Sequence, residues 1–131
     1  MKNYIVQLNE ESSNSKNKYS MFIGRWQPWH EGHRWLIDQR LNDGKKVLIC
    51  IRDVEPDEKN PFTTSWVFEN ISENLKDLIE LEKVKIIIIP DIESINYGRG
   101  VGYEIIEHIP PDEIKGISAT KIRDKLINNG K

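Results

Sequence analysis

"GRWQPWHEGHRW", Gly24 to Trp35, holds two of the chain's three histidines and three of its four tryptophans. The apolar run "YSMFIG" stands before it, and residues Glu31 to Asn42 read as a helix after it. A second apolar run, "KKVLICI", follows through the turn "DG". Strand, helix and strand in such short order, with both strands almost continuously apolar, is the pattern of parallel strands covered on both faces. The quoted stretch then falls between the carboxyl end of the first strand and the mouth of the first helix. Open α/β sheets bind their ligands there.

The same alternation continues downstream. "TSWVFENISENLKDLIELE" predicts one long helix, with Trp66, Ile71, Leu75, Leu78 and Ile79 at helical spacing and Thr63 or Thr64 as its cap. "KVKIIIIP" predicts a third strand, stopped by Pro90. Between Asp91 and Pro111 lie a glycine-spaced turn, "NYGRGVGY", a short helix, "YEIIEHI", and a Pro-Pro break. Ser118 opens a last helix that Gly130 stops. The expected fold is α/β, a Rossmann-like doubly wound parallel sheet. Residues 19–131 form the expected domain, and residues 1–18, polar and rich in Ser and Asn, an N-terminal arm or edge strand that is partly flexible.

Composition narrows the partners. At 131 residues the chain has room for one hydrophobic core. Its 19 basic and 21 acidic side chains are interleaved, with a formal charge of -2, so no basic field marks it for nucleic acid. Cys50 is the single cysteine and lies in "VLICI"; no internal disulfide can form, and a reducing, cytoplasmic setting is expected. The N-terminal stretch lacks an apolar leader, and the run "VKIIIIP" is too short to span a bilayer, so no membrane partner is expected.

Three constellations carry candidate chemistry. His30 and His33, three apart at a helix start, share a face. Gly32 between them bares the backbone, Arg25 adds a cation, and the helix N-terminus favours an anion. Together they make a phosphate cradle. A surface pair and a zinc pair are the other readings of a bare HxxH, and zinc needs further ligands that no Cys or HExxH pattern supplies. In "GISATKIR", the hydroxyls of Ser118 and Thr120 and the cations Lys121 and Arg123 make either a second anion site or an ordinary capped helix. After the second and third strands, Asp53 is a candidate contact to a ligand or hydrated metal, and Tyr97, Arg99 and Tyr103 are candidates to stack on a flat ring or grip an acidic group. A solvated loop and a glycine-rich surface turn are the plain alternatives.

In this order, "HEGH" and "ISATKIR" resemble the HxGH and ISxTxxR signatures of the nucleotidyltransferase superfamily. The longer "GRWQPWHEGH" is similar to the GRFQPxHxGH form of archaeal-type nicotinamide mononucleotide adenylyltransferases, as is "NPFT"; "GISATKI" looks more like glycerol-3-phosphate cytidylyltransferases. The resemblance implies transfer of a nucleoside monophosphate from ATP or CTP to a small phosphate- or phosphonate-bearing acceptor, with release of pyrophosphate, and AMP slightly favoured. It implies that His30, His33 and Arg123 are catalytic, and that Gly24, Arg25, Trp26, Gly32, Ser118, Thr120 and Lys121 line the nucleotide phosphates. Magnesium carried mainly by those phosphates, and a homodimer or larger homo-oligomer, are implied too. Trp26 and Trp29 depart from the Phe common in the adenylyltransferase pattern, which marks Trp29 as a candidate acceptor contact and Trp26 as a residue that packs or touches nucleotide. Cytidylyl transfer, a non-catalytic nucleotide-binding module and a structural domain are the alternatives.

Overall fold

A computed structural model describes residues 18–100, 102 and 104–115. The expected arm, the expected helix from Ser118 and Tyr103 lie outside the described residues. Within them the order is β1 (Tyr19–Gly24), α1 (Glu31–Leu41), β2 (Lys46–Asp53), α2 (Thr64–Asn74), α3 (Lys76–Glu80), β3 (Val84–Pro90) and α4 (Asp112–Lys115). The three strands form one parallel sheet in the order β1-β2-β3, with Phe22 opposite Ile49 and Ile49 opposite Ile86. This is an α/β, Rossmann-like arrangement. Both described crossovers step the same way across the sheet, one winding of the pattern, and the right-handed rule places their helices on a common face.

β2 is central and buried because its apolar run is covered. Val47, Ile49 and Ile51 are fully buried, and so is Cys50 on the opposite side of the strand. Ile37 of α1 and Val67, Ile71 and Leu75 of the second crossover pack into the same core. Burial raises the Cys50 thiol to about 11, so it stays protonated and acts as a small apolar residue.

Two expectations need correcting. The long helix from Thr64 is two helices, broken at Leu75, whose backbone leaves helical angles at φ -113° and ψ 20°. Asn74 precedes the break and turns its side-chain amide back onto the Asn70 carbonyl at 2.7 Å, an alternative to the regular ladder. "YEIIEHI" forms no helix over residues 104–110. Ile105 and Ile109 are both 68% exposed, so the turn has no apolar face to bury, and a segment this short does not hold a helix alone. The chain turns helical only at α4, just past Pro111.

Candidate active site

The loop between β1 and α1 alternates in what it grips. Arg25 and Gln27 reach across to the loop after β2, whereas Trp26 turns into the core. Trp26 has a positive φ of 54°, a left-handed conformation that is strained for a bulky side chain. Its indole Nε1–H donates to the Cys50 carbonyl at 3.0 Å, and its ring lies over Gly24, where an added Cβ would come within 3.1 Å of it. The bare Gly24 is therefore what lets the indole fold back. Gln27, 6% exposed, makes two hydrogen bonds to one residue: its side-chain N–H donates to the Phe62 carbonyl at 2.8 Å, and its carbonyl accepts from the Phe62 N–H at 3.0 Å. The Gln27–Pro28 peptide is cis.

α1 begins at His30, and the two histidines cap each other. His30 Nδ1 accepts from the Gly32 N–H at 3.0 Å, and His33 Nδ1 accepts from the His30 N–H at 3.3 Å. A ring nitrogen that accepts has no proton, so each neutral imidazole carries its proton on Nε2. The rings stack, with centroids 3.7 Å apart and 18° between planes. Two imidazolium ions could not rest so close. Burial pushes His30 below the usual imidazole range, and burial followed by the nearby His30 pushes His33 down to about 3. At neutral pH the pair is uncharged, with two Nε2–H donors in one stack.

Both tryptophans hold this pair from the core side. Trp26 meets His33 edge-on at 4.8 Å, and Trp29 lies 5.3 Å from the same ring. They are 6% and 8% exposed and belong to the hydrophobic core. Gly32 has a related function. An added Cβ there would stand 2.8 Å from His30 Cε1, so the space above this glycine belongs to the His30 ring. Its bareness sets the imidazole down on the helix.

Around the pair, the carboxyl ends of the strands gather charge. Arg25 donates to the Glu55 carbonyl at 3.3 Å and lies 3.7 Å from Asp57, so its guanidinium anchors the loop after β2. Asp53, exposed at the end of β2, accepts from the Thr64 hydroxyl at 2.9 Å. Arg52 donates to Asp91 at the end of β3, and this hydrogen bond holds the Asp91 carboxyl below its usual range. Thr63 caps α2 by accepting from the Trp66 N–H at 3.1 Å. Tyr97 and Arg99 are exposed on the chain after β3. Ser118, Thr120, Lys121 and Arg123 lie outside the described residues.

The structure thus brings Gly24, Arg25, Trp26, Trp29, His30, Gly32 and His33 into one loop and helix start. Gln27 had no signal in the sequence reading beyond its place in "GRWQP". Its partner lies 35 positions away, in "NPFT", and the two stretches are the halves of one clamp.

The fold and the histidine motif together make the chain resemble the nucleotidyltransferase superfamily. Among particular relatives, the nicotinamide-nucleotide adenylyltransferase of Caldivirga maquilingensis is 35% identical over 77 residues, 56% of this chain and 43% of that protein. The enzyme of the same name from Thermococcus kodakarensis is 30% identical over 95 residues, 71% of this chain and 50% of its own length. That from Methanococcus aeolicus is 26% identical over 134 residues, covering 84% and 78%. The chain spans about half the length of the first two. No family model matches it. Among the described residues, no helix is long and apolar enough to cross a membrane.

Proposed function

We propose that this chain is an adenylyltransferase that moves AMP from ATP onto a mononucleotide acceptor and releases pyrophosphate, with nicotinamide mononucleotide, the substrate in its relatives' names, as the leading acceptor. The observation that carries this reading is the stacked His30–His33 pair, whose Nδ1 atoms are tied to backbone and whose Nε2–H groups are left as donors.

Transfer at the α-phosphorus needs no nucleophilic side chain. The acceptor's phosphate oxygen attacks the α-phosphorus in line, the bond to the bridging oxygen of pyrophosphate breaks, and charge gathers on the non-bridging oxygens. Fixed N–H donors aimed at those oxygens stabilise that charge without reorganising. His30 and His33 would supply two, and the positive end of the α1 dipole would add to their effect. Being neutral, the pair donates hydrogen bonds and takes no part as an acid. Ser118, Thr120, Lys121 and Arg123 enter on sequence alone, as the grip on the leaving pyrophosphate. Tyr97 and Arg99 remain candidates for the acceptor, and Trp29, being buried, would act through His33.

Asp53 offers an exposed carboxylate at the end of β2, an oxygen donor that fits magnesium and would meet an ion carried by the nucleotide phosphates. When bound, the ion would offset phosphate charge.

Phosphorus NMR of the chain with ATP, nicotinamide mononucleotide and magnesium tests the proposal. The expected result is a dinucleotide pyrophosphate signal that grows with free pyrophosphate. Turnover with CTP but not ATP would replace adenylyl by cytidylyl transfer, and no turnover with either would overturn the reading.

A further inference from the structure

The loop that Gln27 clamps carries an aromatic pair the reaction above does not use. Phe62 and Trp66 are stacked almost parallel, with centroids 4.0 Å apart and 15° between planes. Phe62 packs against the core, and Trp66, 37% exposed, lies over it. Trp26 and Trp29, by contrast, are buried. The pair is placed firmly: Phe62 by its two bonds to Gln27, and the first turn of α2 by Thr63 and by the Thr64 bond to Asp53. Gln27 is only three residues from His30, so its two bonds tie the backbone of Phe62 to the histidine loop.

We propose that the Phe62–Trp66 stack is an aromatic platform on which the heteroaromatic ring of a nucleotide substrate packs while its phosphate lies at His30 and His33. The inference rests on the adenylyltransferase reading and deepens it. A flat ring held by a stack beneath it is oriented before the ligand arrives, and the exposed face of the indole offers π-surface to any base. Leucine in place of Trp66 would still cover Phe62 and close the start of α2, so packing alone does not call for the indole. Gln27 is the positioning residue of this platform, because it fixes the backbone from which Phe62 projects.

Calorimetric titration of the full chain with ATP, nicotinamide mononucleotide and tripolyphosphate tests the platform, since tripolyphosphate has the phosphates without a ring. Trp66→Leu is expected to weaken one nucleotide about tenfold and to leave tripolyphosphate unchanged. Which nucleotide weakens tells whether donor or acceptor uses the platform. Trp66→Phe should restore binding to within about threefold, since it keeps a π-face. Unchanged binding of both nucleotides by Trp66→Leu would overturn the platform, as would equal weakening of all three probes. If the wild-type chain bound none of the three, the nucleotide reading would fail, and the platform with it.

Discussion

Gly32 and His30 show how far one hydrogen atom matters. A methyl at position 32 would lie 2.8 Å from the His30 ring, yet alanine favours a helix over glycine by up to about 1 kcal/mol. Gly32→Ala is therefore expected to keep the melting temperature while displacing the imidazole, with activity down about 10²-fold. Thermal denaturation run beside a turnover assay separates the two effects. Trp26 answers a question its own sequence raised. The related pattern has phenylalanine there, which lacks the N–H that the indole gives to the Cys50 carbonyl, and that bond helps hold a strained backbone angle. The histidines were legible because three-residue spacing at a helix start is a local pattern. The mutual capping through Nδ1, which fixes their tautomers, was not, because HxGH alone does not say which nitrogen faces the backbone.

At the scale of elements, the two loops at the carboxyl ends of β1 and β2 act as one piece. Gln27 joins them by two half-buried bonds, so Gln27→Ala leaves the Phe62 N–H and carbonyl without those partners. A loss of about 2–3 kcal/mol is expected, read as a lower midpoint in urea. β1, α1, β2 and β3 could be read from apolar runs and periodicity because each buries a regular face. The break at Leu75 could not, since Ile71, Leu75 and Ile79 keep helical spacing across it, and the departure lies in the Leu75 backbone angles beside the Asn74 side-chain bond to the Asn70 carbonyl. Ile105, Ile106 and Ile109 misled in the other direction: their spacing looks helical, but all three are exposed. Pairing between Gln27 and Phe62 has no period at all, and it became visible only in three dimensions.

For the whole molecule, the histidine pair ties stability to pH with a definite sign. His30 and His33 hold folded values below the unfolded 6.5, so between the two values the unfolded chain binds protons that the folded chain refuses. Their stabilisation is complete above about 6.5 and is lost as pH falls below it, for His33 towards about 3. Asp57 and Asp91, also lowered, act only below about pH 4, beneath the range in which the two imidazoles begin to act. Urea denaturation across that range should show stability falling with acid, and His33→Gln should flatten the fall. The fold brings this neutral pair, a helix N-terminus and a clamped neighbouring loop to one rim of a parallel sheet, and the proposed adenylyl transfer would use all three. Asparagine at position 30 keeps a side-chain acceptor for the Gly32 N–H, so His30→Asn preserves the cap while removing the Nε2–H donor. The direct measurement is pyrophosphate release from ATP, magnesium and nicotinamide mononucleotide by the wild-type chain and by His30→Asn. Release by the wild type that falls about 10²-fold in the folded variant is the expected result; wild-type release left undiminished in His30→Asn would contradict the role of the pair.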